Sequence, residues 1–187
     1  MSASGDDADV VLVERELIYD WFGLRLVRDD LEQRNGERFE YTYVEHPGSV
    51  IVLPRLVSGE YVLVEQYRYP IRQRSLELPA GALDGVEAAV ETARRELFEE
   101  TSLRAGELRE LGRIAPSNGF CSEWMVVFVA DGLTGTPEPH TTTTVREHHV
   151  IITVDEATLL RHVRSGRITD GATLSALMLW LLDREET

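Results

Sequence analysis

Residues 81–103 read G-A-L-D-G-V-E-A-A-V-E-T-A-R-R-E-L-F-E-E-T-S-L, which is the pattern of a glycine turn followed by a helix. The stretch contains five glutamates, and three of them lie one turn apart near its end: Glu96, Glu99 and Glu100. At about 100° of rotation per residue, these three side chains fall within an arc of roughly 100°. The apolar residues repeat at helical spacing and form one predicted buried stripe: Val86, Val90, Ala93 and Leu97.

The three clustered glutamates have two interpretations. Like charges at this spacing repel each other, and a divalent cation held by carboxylate oxygens would remove that repulsion. The alternative is a solvated helix face on which Glu91, Arg95 and Glu99 form ordinary i,i+4 ion pairs. Because Glu96 and Glu100 flank the apolar stripe rather than oppose it, they point along the protein body. Spacing alone leaves both interpretations open.

The stretch resembles the signature of the Nudix hydrolases, G-x5-E-x7-R-E-U-x-E-E-x-G-U, in which U is an aliphatic residue. The matching positions are Gly81, Glu87, Arg95, Glu96, Leu97, Glu99, Glu100 and Leu103. The resemblance implies that Glu96, Glu100 and the backbone carbonyl of Ala80 bind Mg²⁺ or Mn²⁺. It also implies that Glu99 holds a second ion or its waters, and that Arg95 orients the neighbouring carboxylates.

Two features of the signature leave the local structure open. The signature's second glycine is Ser102 in this chain. A helix often closes on a left-handed residue, where serine would cost about 1 kcal/mol more than glycine, unless the helix end closes differently. Asp84 and Glu87 have capping-box spacing, which predicts that the helix starts there. Glu87 is therefore either a helix cap or a support of the metal site.

The segments that flank the signature resemble the ADP-ribose pyrophosphatase group. The stretch E-Q-Y-R-Y-P is similar to one whose arginine contacts substrate, and this implies that role for Arg68. The stretch L-E-L-P-A-G implies that Glu77 contacts the ligand; its alternative is a strand residue on a solvent face. Pro116 matches a proline in a P-S-x-G-x-S-x-E-like loop, in which Glu123 either faces the metal or ends the turn.

Residues in other parts of the chain complete the candidate site. Glu147 lies close to where related enzymes carry a catalytic glutamate, and it is either the general base or a solvent-facing acid at a strand end. Phe39 or Trp21 is a candidate for stacking on the base of the substrate, whereas Trp124 is expected to pack. Three further arginines either bind phosphate or balance nearby acids: Arg55, Arg72 and Arg74. The balancing role is favoured for the last two.

The composition limits the functions that are open to this chain of 187 residues. Its formal charge of −14 argues against non-specific binding to nucleic acid or anionic membranes. All 19 basic residues are arginine, which excludes chemistry that depends on lysine. The single cysteine, Cys121, excludes an intrachain disulfide framework and a cysteine-rich zinc site. Because no apolar run approaches membrane-spanning length and the acidic N-terminus lacks a signal-peptide pattern, we expect a cytoplasmic protein.

The order of predicted elements indicates an α+β fold with three parts. These are a disordered tail over residues 1–9, an antiparallel β-sheet extension over residues 10–46, and a Nudix hydrolase domain over residues 47–187. Strands are predicted at residues 10–19, 24–31, 39–45, 49–54, 61–67, 107–114 and 124–130, with a hairpin turn at Asn35-Gly36 before the third of them. Further helices are predicted at residues 155–165 and 172–183, and Asp170 is the predicted cap of the last one. The resemblance adds a mixed β-sheet sandwiched between helices. It also implies a homodimer through the N-terminal sheet; the alternative is an edge hairpin on a monomer.

Motifs and resemblance together imply a metal-dependent enzyme that hydrolyses the diphosphate bond of ADP-ribose to AMP and ribose 5-phosphate. One alternative is a Nudix hydrolase that acts on GDP-mannose, ADP-glucose or a nucleoside triphosphate. The other is a non-catalytic Nudix domain that senses such a ligand. Sensor domains of this kind typically lose acids of the signature, whereas Glu96, Glu99 and Glu100 are all present here.

Overall fold

The computed structural model describes residues 9–21, 23–139 and 150–185. Within these ranges the chain forms ten strands, three α-helices and a single turn of 3-10 helix at Tyr69–Ile71. The strands are β1 (Val10–Trp21), β2 (Leu24–Gln33), β3 (Arg38–Glu45), β4 (Ser49–Pro54), β5 (Tyr61–Arg68), β6 (Gln73–Glu77), β7 (Ala80–Ala82), β8 (Glu107–Ile114), β9 (Met125–Asp131) and β10 (Val150–Val154). The helices are α1 (Ala89–Thr101), α2 (Glu156–Arg164) and α3 (Gly171–Glu185). A helix with the length and hydropathy of a membrane span does not occur in these ranges.

The chain divides into two compact units, and the first consists of Met1–Pro47 and Ser117–Glu123. Its sheet is antiparallel and has the order β1-β2-β3. The predicted hairpin turn joins β2 to β3. Gly36 has a φ of 85° in this turn, and Asn35 Oδ1 accepts a hydrogen bond from Glu37 N at 2.9 Å. The turn prediction is therefore confirmed.

The segment Ser117–Glu123 pairs with β3, although it follows β8 in the chain. Val44 N donates to Phe120 O at 2.8 Å, and Ser122 N donates to Val44 O at 2.9 Å. His46 N adds a bond to the hydroxyl oxygen of Ser122 at 3.0 Å. The first unit is therefore built from two stretches of chain that are far apart in sequence.

Strand β1 has side chains that are nearly all exposed. Its large apolar residues each show 45–66% of their surface to solvent: Val11, Leu12, Val13, Leu17, Ile18, Tyr19 and Trp21. Arg15 fastens β1 to β2, because its guanidinium donates twice to the Asp29 carboxylate at 2.7 Å. These bonds hold the pKa of the buried Asp29 carboxyl below its ordinary value, so the pair stays charged at neutral pH.

The second unit consists of Gly48–Pro116 and Trp124–Thr187 and contains two sheets. One sheet has the order β7-β4-β9-β8, in which β4 and β9 run parallel and the outer pairs antiparallel. The other sheet is antiparallel and has the order β10-β5-β6. The first of these sheets is therefore mixed.

Alternating side chains of β4 and β9 face two different layers of helix, as the period of a strand requires. One apolar cluster joins these strands to α2 and α3 and includes Ile51, Leu53, Val127, Leu159 and Trp180. The other joins them to α1 and includes Val50, Val52, Phe128, Ala93 and Leu97. The strands lie between helices, which confirms the predicted α+β class with a mixed sheet inside a helical sandwich.

Most predicted elements are found with small differences in their ends. β4 and β8 have the predicted bounds, and the other predicted strands and the last two helices differ by one or two residues. Asp170 caps the last helix as predicted, since its carboxylate accepts a hydrogen bond from Thr173 N at 2.8 Å. Trp124 lies before β9 with 61% of its surface exposed. The prediction that Trp124 packs in a core strand is wrong.

The predicted start of the signature helix is also wrong. α1 begins at Ala89, and its N-cap residue, Ala88, makes no side-chain cap. Asp84 Oδ1 instead accepts hydrogen bonds from Val86 N at 2.8 Å and Glu87 N at 3.0 Å, so it caps a turn in the loop before the helix. Val86 lies in this loop with 89% of its surface exposed and is not part of the buried stripe.

The end of α1 shows how the chain accommodates serine at the signature's second glycine. Ser102 is left-handed, with φ of 60° and ψ of 10°. Its N–H donates to Phe98 O at 2.8 Å and so closes the helix. Of the two alternatives for this helix end, the structure shows the one in which serine takes the conformation that favours glycine.

We expect Ser102→Gly to raise the free energy of unfolding by about 0.5–1 kcal/mol, because glycine adopts the left-handed conformation without the steric cost of a Cβ. Denaturant unfolding measures the difference. Ser102→Ala is the matched control, since it keeps the Cβ and should bring no gain. A Ser102→Gly protein that is no more stable than the parent would contradict the expectation.

Candidate active site

Two acids of the signature, Glu96 and Glu100, extend from helix α1 to the backbone of strand β7. Ala80 N donates to the Glu100 carboxylate at 3.2 Å. A Cβ at Gly81 would overlap the carboxyl group of Glu96, so that side chain lies directly against the glycine backbone. β7 is itself fixed by pairing with the buried β4. The two carboxylates are therefore held against main chain whose position the core determines.

Arg95 binds three of the surrounding glutamates. Its guanidinium donates to Glu96 at 2.7 Å, to Glu99 at 3.1 Å and to Glu87 at 3.2 Å. Burial alone would lower the pKa of Arg95, but the charge of Glu96 and the hydrogen bonds that Arg95 donates to Glu87 and Glu96 raise it above its ordinary value. Arg95 therefore remains a cation, and it offsets the repulsion that the glutamate spacing predicts.

Glu87 supports this network and does not cap the helix. Its carboxylate accepts a bond from Thr92 Oγ1 at 3.3 Å in addition to the one from Arg95. The loop that contains Glu87 precedes α1, and its turn is capped by Asp84. Of the two interpretations of Glu87, the structure favours the support of the neighbouring acids.

The oxygen donors at β7 suit a hard divalent cation. The carboxylates of Glu96 and Glu100 lie against the backbone of Ala80 and Gly81, and Glu99 is one turn away on α1. No three His, Cys, Asp or Glu side chains in the described ranges are gathered closely enough to form a ligand set by themselves. A site of two carboxylates and one backbone carbonyl needs no such group, and its members come from β7 and α1.

A second charged group lies on β5 and β6. Arg68 donates to the Glu77 carboxylate at 2.5 and 3.0 Å, and Gln66 donates to it at 3.2 Å. Only 5% of the Glu77 surface is exposed, so the alternative of a solvent-facing strand residue is wrong. The hydrogen bond to Glu77 raises the pKa of Arg68 above its ordinary value, and the charges of Asp170 and Glu100 add to it.

Gln66 has no assigned role in the sequence interpretation, although it belongs to the quoted E-Q-Y-R-Y-P stretch. A period-2 argument identifies it, because Gln66 and Arg68 share one face of β5. Gln73 lies directly opposite Arg68, and Glu77 opposite Val64. The face of the β5–β6 pair that holds Glu77 therefore carries polar groups towards the turn that connects the two strands.

The other candidate residues occupy separate places. Arg55 donates to Asp131 at 2.7 Å, and Arg74 donates to Glu65 at 3.4 Å, so both balance acids. In the first unit Phe39 and Trp21 are exposed, and Glu123 lies 3.9 Å from His46. Glu147 is outside the described residues, and its predicted role as general base stays a prediction.

Comparison with known proteins places this geometry in a family. A model of the NUDIX domain matches residues 45–170. The chain belongs to the Nudix family. The resemblance of the stretch at residues 81–103 is therefore confirmed, and the acids on α1 are those of the Nudix signature.

Two related proteins and one solved structure match nearly the whole chain. A methanol dehydrogenase activator of Bacillus methanolicus is 33% identical over 169 residues, which cover 88% of this chain and 89% of that protein. An ADP-ribose pyrophosphatase of Bacillus subtilis (strain 168) is 32% identical over 168 residues, with the same coverage of 88% and 89%. A crystal structure of an ADP compounds hydrolase has a TM-score of 0.79 at 21% identity and covers 96% of this chain and 98% of that one. This likeness confirms the predicted Nudix fold.

We expect Gly81→Ala to displace the Glu96 carboxyl group, because the new Cβ would occupy its place. The end of a glutamate side chain can swing away, so the fold should survive. Divalent cation binding should weaken by about 10- to 100-fold, the range that follows when the surroundings of a metal ligand are changed. Mn²⁺ titration followed by calorimetry measures this.

Gly171→Ala is the matched control for this substitution. A Cβ at Gly171 meets no atom within 4 Å, and the control should bind Mn²⁺ as the parent does. Equal affinity of Gly81→Ala and the parent would show that the contact of Glu96 with Gly81 has no part in binding the cation.

Proposed function

We propose that this Nudix protein hydrolyses the diphosphate bond of ADP-ribose and releases AMP and ribose 5-phosphate. The observation that carries the proposal is the placement of the Glu96 and Glu100 carboxylates against the backbone of Ala80 and Gly81. The ion pair of the exposed Arg68 with the buried Glu77 on β5 and β6 supports it. The similarity to an ADP-ribose pyrophosphatase favours this substrate.

The proposal includes Mg²⁺ or Mn²⁺ as cofactor. Glu96, Glu100 and the carbonyl of Ala80 would hold one ion, and Glu99 would hold a second ion or its waters. When bound, such an ion would offset charge that develops on phosphorus and would lower the pKa of water. Arg95 keeps the glutamates in place in this proposal, because it already binds Glu96 and Glu99.

Arg68 is the proposed phosphate contact. Its planar guanidinium can hold phosphate oxygens in a two-point geometry. The buried carboxylate of Glu77 fixes the side chain at Nε and at one Nη, so little rotational freedom remains to be lost when a ligand binds. Glu77 is thus proposed to act on the ligand partly by positioning Arg68.

Glu147 is the proposed general base, which takes a proton from the attacking water. A carboxylate of the signature, with Glu99 first, is its alternative. For the base of the substrate we propose stacking on Phe39 or Trp21, since both side chains are exposed in the first unit and aromatic faces suit a planar ring.

A homodimer through the N-terminal sheet is a further part of the proposal. The exposed apolar residues of β1 support it, because an edge strand with this much apolar surface is a ready pairing site for another chain. Light scattering should give twice the chain mass of 21.1 kDa.

The free Cys121 suits the proposed location in the cytoplasm, where thiols stay reduced.

We expect Glu100→Gln to lower the turnover of ADP-ribose with Mg²⁺ by several decades, because an amide keeps the shape but loses the charge that binds the cation. Initial rates of AMP release measure the change, and circular dichroism checks the fold. Glu91→Gln is the control on the same helix, because Glu91 is exposed and pairs only loosely with Arg94, at 3.9 Å. Unchanged turnover of Glu100→Gln would remove Glu100 from the metal site.

The same assay separates the alternatives. Glu147→Gln should lower the maximal rate and leave the Mn²⁺ affinity in place if Glu147 is the base. Faster release of product from GDP-mannose or ADP-glucose would transfer the proposal to another nucleoside diphosphate sugar. Metal-dependent thermal stabilisation without hydrolysis of any of these compounds would favour a ligand-sensing domain.

A further inference from the structure

Arg72 differs from nearly all other arginines of the described chain. Most of them contact a carboxylate, a hydroxyl or backbone oxygen, or an aromatic ring, as the pairs of Arg55 and Arg109 illustrate. Among the described residues, the guanidinium groups of Arg72 and Arg164 make no such contact. This is unusual in a chain with 33 acidic and 19 basic residues, where an exposed arginine has many carboxylates to meet.

The backbone at Arg72 is also unusual. The chain makes one turn of 3-10 helix at Tyr69–Ile71, with Pro70 at its centre, and Arg72 N donates to Tyr69 O at 3.1 Å to close it. Arg72 then adopts the left-handed conformation, with φ of 53° and ψ of 37°. Residues with a Cβ rarely take this conformation, and strained positions of this kind gather at functional sites.

Arg72 lies at the turn of the strand pair that carries Arg68 and Glu77. The turn connects β5 to β6, and Gln73, the next residue, lies directly opposite Arg68. Tyr69 and Ile71 on the same turn are exposed. Arg72 therefore lies within one residue of the end of the strand pair that carries Arg68 and Glu77.

The arginines near the site differ in whether a carboxylate compensates their charge. Glu77 compensates the charge of Arg68, and three glutamates surround Arg95. A substrate that carries a diphosphate meets a protein of net charge −14, and cationic groups at the mouth of a site raise the local concentration of such a ligand. Of the arginines described near the β5–β6 pair, Arg72 is the one without a carboxylate partner.

We propose that Arg72 is a second phosphate-binding residue, which contacts the diphosphate group of the substrate together with Arg68. Arg72 has the left-handed backbone of the turn, and its guanidinium has no partner among the described acids of β5 and β6. The ligand class is a nucleoside diphosphate, free or joined to a sugar. This inference rests on the proposed function of the site.

The test is Arg72→Gly, because glycine takes the left-handed backbone without strain and removes only the side chain. The KM for ADP-ribose should rise by about 10- to 100-fold, the value of a hydrogen bond to a charged group. The kcat should stay within about twofold and the melting temperature should not fall, since a group that binds ground state and transition state equally changes KM alone. Arg72→Lys keeps the charge and should recover part of the affinity.

Arg164→Ala is the matched control, because it removes the other arginine without a described partner, at the end of α2. Its KM should equal that of the parent. An equal rise of KM in both variants would show a bulk charge effect and overturn the inference, as would an unchanged KM in Arg72→Gly. A change in molecular mass of Arg72→Gly by light scattering would also overturn it, because the turn would then be a contact between copies of the chain.

Binding of ADP, measured by calorimetry, separates failure of this inference from failure of the proposed function. If the parent binds ADP but does not hydrolyse ADP-ribose, the proposed reaction fails. Weaker ADP binding by Arg72→Gly would still support the phosphate contact in that case. Equal ADP binding by the two proteins would overturn the contact even if the parent hydrolyses ADP-ribose.

Discussion

The contact of the Glu96 carboxyl group with the backbone of Gly81 is the constraint on which the acidic site depends. It exists because residue 81 has no Cβ and because β7 is paired with the buried strand β4. On the helix side, Ala93 and Leu97 are fully buried in the cluster that includes Val50. Apolar packing therefore sets the distance between α1 and β7, and the acids take their positions from it.

The repulsion between the clustered glutamates is offset by ion pairs with arginine. Arg95 binds three glutamates, while Arg68 is held by Glu77. In a chain with 33 acids and no lysine, these arginines are already engaged in holding carboxylates in place. Attracting an anionic ligand requires other cations, whose charge is not compensated by a carboxylate.

Regular spacing made much of this predictable. The resemblance to the Nudix signature singled out Glu96 and Glu100, and the predicted strands located β4 and β8 to the residue. The capping-box spacing at Asp84 failed because a turn, with Gly85 at φ of 79°, intervenes before α1 at Ala89. Local pattern could not show that Glu77 is buried, because its burial depends on Gln66 and Arg68 from the neighbouring strand. A short segment of sequence contains no information on contacts with distant parts of the chain.

The pairing of Ser117–Glu123 with β3 has a consequence for synthesis on the ribosome. Val44 is made long before Phe120, its hydrogen-bond partner, and at 5–20 residues per second the interval is roughly 4–15 s. During that time the free edge of β3 and the apolar side chains of β1 are presented to the cell together. The N-terminal sheet is therefore incomplete during this interval. Chaperones or a neighbouring nascent chain can bind it before the segment Ser117–Glu123 has been synthesised.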